Sequence, residues 1–229
     1  MNRIHEGLEA TAKQYPETAA ILTQGGEQVT YAQLKLIVDE AAAALRAKNV
    51  RGGDRVIVVG ENSVAMIAFI LACSPLDAWA IPTNARMAAG EIDRVVAHAE
   101  PRVIVTTDDA SDSAAAHGER LGASAVEGAF GKVSITSARE CSTEPVETAP
   151  EDQVAVVMYT TGTTGDPKGV MLTHNNLLFA GTQSANLRGL THGDRVYAVL
   201  PLSHIFGLAS ALTASLLAGA TLLLETRFA

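Results

Sequence analysis

The sequence predicts an α/β fold in which a mainly parallel β-sheet is flanked by helices. The first observation is that continuous apolar runs, such as residues 56–59 and 103–105, have the length of strands covered on both faces. The second is that helical stretches separate these runs, which is the pattern of strands joined by crossover helices. The third is composition. With 48% hydrophobic and 18% charged residues among 229, the chain can bury a sizeable core.

The first elements along the chain are a hairpin and a long helix. Two glycines at 25–26 separate the apolar run 19–23 from a second short run, and a glycine pair supplies the positive φ of a tight turn. Thr30 and Gln33 have the spacing of a capping box. We therefore expect a helix over residues 31–48, with one apolar stripe along it.

The strands and helices alternate in the next part of the chain. We expect strands at residues 55–59, 78–82 and 102–106 and helices at 64–74 and 89–98. The polar, alanine-rich residues 108–121 are interpreted as a surface helix. Residues 142–152 contain two prolines and four acidic residues and are interpreted as a connector within a partial amino-terminal domain that spans residues 1–229.

After the connector we expect strands at 154–159, 195–200 and 221–225, with helices at 175–187 and 208–217. Residues 197–224 carry no formally charged side chain and are long enough for a membrane-spanning helix. However, Pro201, the polar Ser203 and His204, and internal glycines divide this stretch. We interpret it as a buried strand–helix–strand unit.

Charge and cysteine content exclude several classes of function. Seventeen basic against 25 acidic residues give a net charge of −8, which does not favour nucleic-acid binding. Cys73 and Cys141 have no metal-ligand spacing, and the first nine residues lack the apolar region of a signal peptide. We expect a cytoplasmic protein, with small-molecule partners, no metal held by the chain itself, and an oligomeric state that the sequence does not define.

A loop rich in threonine and glycine carries the chemistry. The strand at 154–159 runs directly into Thr160-Thr161-Gly162-Thr163-Thr164-Gly165-Asp166-Pro167-Lys168-Gly169. Open backbone N–H groups, hydroxyl donors and one lysine form a site suited to phosphate oxygens. The sequence is neither a Walker A motif nor GxGxxG. An ordinary surface turn is the alternative. The candidate binding residues are Thr160, Thr161, Gly162, Thr163, Thr164, Gly165 and Lys168.

The run from Tyr159 to Gly169, continuing through Val170-Met171-Leu172-Thr173-His174, resembles the AMP-binding motif of the adenylate-forming superfamily. The resemblance implies that residues 160–168 hold the β- and γ-phosphates of ATP and then pyrophosphate. Thr161 departs from the family, where serine is more usual, but it keeps the hydroxyl donor. Weaker similarities at 29–34, 53–56 and 81–86 extend the resemblance over nearly the whole chain, and we interpret these as scaffold, with a loop at 84–86 that borders the site.

A second segment, Leu200-Pro201-Leu202-Ser203-His204, resembles the Pro-Leu-x-His segment of acyl- and aryl-CoA synthetases. The resemblance implies that His204 lies near the carboxylate and the α-phosphate, where an imidazole donates a hydrogen bond to the forming acyl-adenylate. The alternative is a structural histidine at a strand end. His98, His117, His174 and His192 lack metal-ligand spacing, and we expect them to be solvated or capping residues.

The resemblance implies an AMP-forming acyl-CoA synthetase that uses ATP, Mg²⁺ and CoA to activate a carboxylic acid, with a fatty acid as the expected substrate. The family's Tyr-Gly-x-Thr-Glu segment, ribose-binding aspartate, hinge and carboxyl-terminal lysine do not occur in these 229 residues. We therefore expect a piece of a longer enzyme that is inactive alone. A non-catalytic nucleotide-binding module and an aryl- or amino-acid adenylating domain that loads a carrier protein remain alternatives.

Overall fold

The computed structural model describes residues 1–160 and 167–226, and within these residues two β-sheets enclose apolar helices. The larger sheet consists of β3 (Arg55–Gly60), β4 (Trp79–Asn84), β5 (Val103–Thr106), β6 (Ser124–Gly128), β7 (Gly131–Ile135), β8 (Val154–Thr160) and β9 (Lys168–Thr173). The smaller sheet consists of β1 (Ala19–Thr23), β2 (Gln28–Thr30), β10 (Arg195–Ala198) and β11 (Thr221–Leu224). The predicted α/β class is confirmed.

Helices cover both sheets. They are α1 (His5–Gln14), α2 (Tyr31–Ala47), α3 (Val64–Cys73), α4 (Ala89–Ala99), α5 (Asp112–Arg120), α6 (His174–Arg188) and α7 (Ala214–Ala218). Short 3-10 turns occupy Ser74–Leu76 and Asp108–Ala110, and a π-helix over Phe206–Thr213 runs directly into α7. The helix that we expected from residue 208 therefore begins earlier and is wider in its first part.

The larger sheet is parallel at its centre and antiparallel at both edges. Its order is β6-β7-β5-β3-β4-β8-β9, with β5, β3, β4 and β8 parallel. The antiparallel strands β6, β7 and β9 were not expected from the sequence. The position of Lys168 in the fold is therefore corrected. We assigned Lys168 to a phosphate-binding loop, but it begins strand β9 and pairs with Thr160 of β8.

The smaller sheet joins the two ends of the chain. Strand β1 pairs with β2 in the predicted hairpin and also lies parallel to β11, with Ile21 opposite Leu222. The predicted capping box is present at the start of α2, because Thr30 and Gln33 exchange side-chain and backbone hydrogen bonds. Helix α3 is apolar on every side and has residues 65–73 buried, so it forms the centre of the core.

Residues 142–152, the predicted connector, contain no helix or strand and lie against the larger sheet. Glu144 donates its N–H to the carbonyl of Gly53 at 3.0 Å, and its carboxylate pairs with Arg55 at 2.7 Å. A Cβ on Gly53, whose φ is +78°, would lie 1.9 Å from the carbonyl oxygen of Glu144. Only glycine tolerates both the positive φ and this close approach. The segment is thus held against the start of strand β3.

Buried charge strengthens the same region. The guanidinium of Arg102 contacts both carboxylate oxygens of Asp54, at 3.0 and 3.1 Å, and also donates to the carbonyl of Arg139. Asp54 is fully buried and Arg102 is 9% exposed. The side-chain hydrogen bonds to Asp54 raise the pKa of Arg102, so the guanidinium stays charged. This pair links the entry of β3 to the entry of β5.

Candidate active site

A cavity of about 590 Å³ opens where β4 and β8 end and where the chain leaves the smaller sheet after β10. Ligands of parallel α/β sheets bind outside the carboxyl ends of the strands, which is where this cavity lies. Its polar rim is formed by Asn84, Arg86, Glu91, Tyr159, Thr160, Ser203 and His204. The structure therefore brings together two predicted site residues, Thr160 and His204, that are far apart in the sequence.

The β8–β9 hairpin presents the first and last of the predicted phosphate-binding residues. Thr160 and Lys168 are paired across the hairpin and are both exposed. Thr160 lines the cavity, whereas Lys168 is not part of its wall. The predicted residues Thr161, Gly162, Thr163, Thr164 and Gly165 lie outside the described part of the chain. The roles of all these residues remain a prediction.

His204 lies in a tight turn between β10 and the π-helix. Its N–H donates to the carbonyl of Pro201 at 3.0 Å, and its own carbonyl accepts from the N–H of Leu208 at 3.0 Å. A Cβ on Gly207 would lie 2.3 Å from the Pro201 carbonyl oxygen, so the turn requires glycine there. The imidazole itself is exposed on the rim of the cavity.

The hydrogen-bond pattern assigns the tautomer of His204. Its Nδ1 accepts from the N–H of Phe206 at 3.3 Å. In a neutral imidazole one nitrogen accepts and the other carries the hydrogen, so Nε2 is the donor. This arrangement suits a hydrogen bond from Nε2 to an oxyanion in the cavity.

Tyr159 is a rim residue that begins the run resembling the AMP-binding motif, and we assigned it no role of its own from the sequence. Its hydroxyl lies 2.7 Å from Nδ1 of the exposed His98, and the two rings meet edge to face. Burial raises the pKa of the Tyr159 phenol, which keeps it protonated at neutral pH. Tyr159 thus lines the cavity, and its hydroxyl contacts His98, a contact that only the folded chain creates.

The loop at residues 84–86 borders the cavity, as expected. The side-chain oxygen of Asn84 accepts from the N–H of Arg86 at 2.9 Å and fixes the turn after β4. The guanidinium of Arg86 lies 2.9 Å from the carboxylate of Glu61, which follows β3. Because the Arg86 side chain is 55% exposed, the pair itself contributes little to stability. It places a cation on the rim.

His174 contradicts our expectation of a solvated or capping residue. It begins α6 and is fully buried, and its Nδ1 accepts from the N–H of Ile4 at 3.2 Å. Its Nε2 is buried with no hydrogen-bond partner among the described residues. Burial lowers the pKa of His174 to about 3, with a smaller contribution from Arg3. The imidazole is therefore neutral and anchors the amino terminus of the chain.

Residues 1–160 and 167–226 contain neither a metal-ligand group nor a membrane-spanning helix. In these ranges no three His, Cys, Asp or Glu side chains are grouped so that they would hold a metal ion. None of the described helices is both long enough and apolar enough to cross a membrane. Both cysteines are free thiols.

The cavity lies at the strand ends, and Thr160, the first residue of the predicted phosphate-binding loop, lines it. The model of the AMP-binding enzyme family matches residues 8–229, which is nearly the entire chain. The protein belongs to this family of AMP-binding enzymes.

Its relatives in the family are CoA ligases that act on different acids. A feruloyl-CoA synthase of Amycolatopsis is 33% identical over 218 residues, covering 95% of this chain and 43% of that protein. The long-chain-fatty-acid–CoA ligase FadD13 of Mycobacterium tuberculosis is 30% identical over 223 residues, covering 88% and 40%. The chain thus spans about two fifths of the length of these relatives.

A solved structure shares the fold. The o-succinylbenzoate CoA synthetase of Bacillus subtilis, in complex with its acyl-adenylate intermediate, aligns with a TM-score of 0.76 and 28% identity. The alignment covers 97% of this chain and 56% of that chain. The two-sheet architecture is therefore that of the amino-terminal part of an adenylate-forming enzyme.

Proposed function

We propose that the chain is the amino-terminal part of an AMP-forming acid–CoA ligase that activates a carboxylic acid with ATP. The observation that carries the proposal is the shared cavity of Thr160 and His204, two residues from separate predicted motifs. In the reaction a carboxylate oxygen attacks the α-phosphorus, the bond to the bridging oxygen breaks, and pyrophosphate leaves. The CoA thiol then replaces AMP at the acyl carbon.

The proposed division of labour follows from the position of each group. Thr160, Lys168 and the predicted loop residues between them bind the β- and γ-phosphates, since hydroxyl, backbone N–H and ammonium donors match phosphate oxygens. His204 donates from Nε2 to an oxygen at the reacting centre, where negative charge accumulates during attack. Arg86 adds positive charge on the opposite rim.

ATP and CoA are the proposed co-substrates, and the described residues suit the nucleotide. The rim supplies hydroxyl and cationic donors and has the carboxylates of Glu61 and Glu91 nearby. Mg²⁺ is proposed as well. It needs only one or two protein carboxylates when phosphates supply the other oxygens, and it would neutralise charge on the polyphosphate. We propose a cytoplasmic location on the basis of the two free thiols.

The acid is the finer part of the proposal. We propose a fatty acid, which is consistent with the FadD13 relative. An aryl acid is the nearest competitor, because a feruloyl-CoA synthase is 33% identical to the chain against 30% for FadD13. A hydrophobic pocket distinguishes such acids only by about 1–3 kcal/mol per methylene, so chain length is a question for direct measurement. The π-helix beside His204 carries two small side chains, Ala209 and Ala211, which are packed in the core.

The test is acid-dependent ATP–pyrophosphate exchange by the complete protein that contains this sequence, over a panel of fatty, aryl and amino acids. We expect the complete protein to catalyse pyrophosphate exchange with one class of acid. We expect the 229 residues alone to catalyse no exchange. Loss of the Lys168 ammonium removes a charge-assisted contact of roughly 1.5–3 kcal/mol, so Lys168→Ala should weaken ATP binding about tenfold or more. Lys132→Ala is the matched control, because Lys132 lies on β7, toward the edge of the larger sheet that is opposite to β9.

The alternatives make different predictions in the same assay. A non-catalytic nucleotide-binding module would bind ATP without exchange for any acid. A domain that loads a carrier protein would exchange with an amino or aryl acid and then fail to release an acyl-CoA product. Robust acyl-CoA formation by the purified 229 residues would contradict the proposal that the chain needs further domains.

A further inference from the structure

Asn62 is a buried polar side chain that the proposed reaction does not yet use. It follows β3 and is 3% exposed. Its amide nitrogen contacts the carbonyl oxygens of Glu225, Leu200 and Ala198 at 3.0, 3.1 and 3.4 Å. Its amide oxygen accepts from the N–H of Leu202 at 2.8 Å. All of its hydrogen-bonding groups are therefore engaged within the protein.

These contacts join the two sheets at one point. Asn62 lies in the loop after β3 of the larger sheet, whereas Ala198 ends β10 and Glu225 follows β11 of the smaller sheet. Leu200 and Leu202 flank Pro201, whose carbonyl accepts from the N–H of His204 at 3.0 Å. Asn62 thus holds both neighbours of Pro201, and the carbonyl of Pro201 is hydrogen-bonded to His204.

The turn has a second fixed point. Leu202, which receives the hydrogen bond from Asn62, has a fully buried side chain. With its N–H held by the Asn62 oxygen and its side chain in the core, Leu202 has little freedom to rotate. Because His204 is two residues further along, a shift of this anchor would move the imidazole on the cavity rim.

We propose that Asn62 is a positioning residue for His204, an inference that rests on the proposed function of His204. An asparagine suits this role because it donates to carbonyl groups and accepts from an N–H with the same side chain. Aspartate has the same shape but has no donor, so it would place a carboxylate against three carbonyl oxygens. Serine keeps one donor and one acceptor on a shorter side chain.

The first test uses the 229-residue chain and does not depend on activity. Amide hydrogen exchange is compared in the wild type, Asn62→Asp and Asn62→Ser. We expect about tenfold faster exchange at Leu202 and His204 in Asn62→Asp, beyond any change at Ile21 in the core of the smaller sheet, and a smaller effect in Asn62→Ser.

Tyr31→Phe is the matched control for general destabilisation. The Tyr31 hydroxyl is buried and donates to the carbonyls of Ser215 and Ala220 at 3.0 and 2.7 Å, away from the turn. We expect this variant to change exchange evenly across the smaller sheet. Equal effects of Asn62→Ser and Tyr31→Phe at His204 would overturn the proposal, and Asn62→Ser keeps the test decisive if Asn62→Asp does not fold.

The second test is kinetic and uses the complete protein. We expect Asn62→Ser to lower kcat of acid-dependent exchange about tenfold, with the KM for ATP changed by less than about twofold. In a His204→Ala background the same substitution should have almost no further effect, because it acts through His204. Additive effects would overturn the proposal. A wild-type protein that is inactive with every acid would overturn the proposed function instead. The amide hydrogen exchange of the variants would still decide whether Asn62 fixes the position of His204.

Discussion

Protonation of His174 should destabilise the protein in mildly acidic solution. Burial holds its pKa at about 3 in the folded chain, against an ordinary value of 6.5. Between these values the unfolded chain binds more protons than the folded chain, so the free energy of unfolding falls as the pH falls below about 6.5. By linkage, this single group should cost about 2 kcal/mol at pH 5. Burial also lowers the pKa of His5, which acts in the same direction.

The measurement is urea unfolding between pH 7.5 and pH 5, followed by the fluorescence of Trp79, the one tryptophan of the sequence. His174→Asn places an amide oxygen close to the position of Nδ1 and keeps an acceptor for the N–H of Ile4. We expect this variant to lose most of the pH dependence. His192→Asn, at an exposed histidine stacked on Tyr15, should keep it.

The reasoning would be refuted by a wild-type pH dependence that His174→Asn leaves unchanged. It would also fail if an NMR titration of the folded chain showed the His174 imidazole gaining its proton near pH 6.5. Either result would mean that water reaches Nε2 or that the surrounding structure opens at low cost, so that burial does not exclude the charged form.

Three further substitutions test other parts of the structure. Asp54→Ala leaves the buried guanidinium of Arg102 unpaired and should lower the free energy of unfolding by about 3–5 kcal/mol, measured by urea denaturation; a loss below 1 kcal/mol would mean that water reaches the pair. Gly207→Ala places a methyl group against the Pro201 carbonyl and should increase amide exchange at His204; unchanged exchange would contradict the tight turn. Thr30→Ala removes the cap of α2 and should cost about 1 kcal/mol, and an equal loss in Thr18→Ala would discount the cap.

Local patterns in the sequence predicted the elements whose signals are local. The capping box of Thr30 and Gln33 is an interaction between neighbours, and the strands β3 and β5 are apolar because both faces are covered. Strand β9 was missed because it lies at the sheet edge, where most of its side chains are exposed and give no burial pattern. Strands β6 and β7 form the opposite edge, and β6 is likewise exposed along most of its length.

The candidate site was predictable only in part for the same reason. Thr160 and His204 stood out because each lies in a distinctive run of neighbours. Asn62 did not stand out, since its hydrogen-bond partners are 136 or more residues away in the sequence. The Tyr159–His98 pair did not stand out either, because its two members are 61 residues apart. Burial of His174 was equally invisible, because a histidine after a helix cap has the same local sequence whether it faces water or the core.

The pairing of β1 with β11 also sets an order of events during synthesis of the chain. The hydroxyl of Thr221 donates to the carbonyl of Ala19 across 202 residues of sequence. A ribosome must therefore produce nearly the whole chain before the first strand acquires its second neighbour, and a lone two-stranded hairpin is marginally stable in water. Until then one edge of β1 is unpaired and open to strands of other molecules. The unpaired edge of β1 is therefore a place where partly synthesised chains can associate with one another.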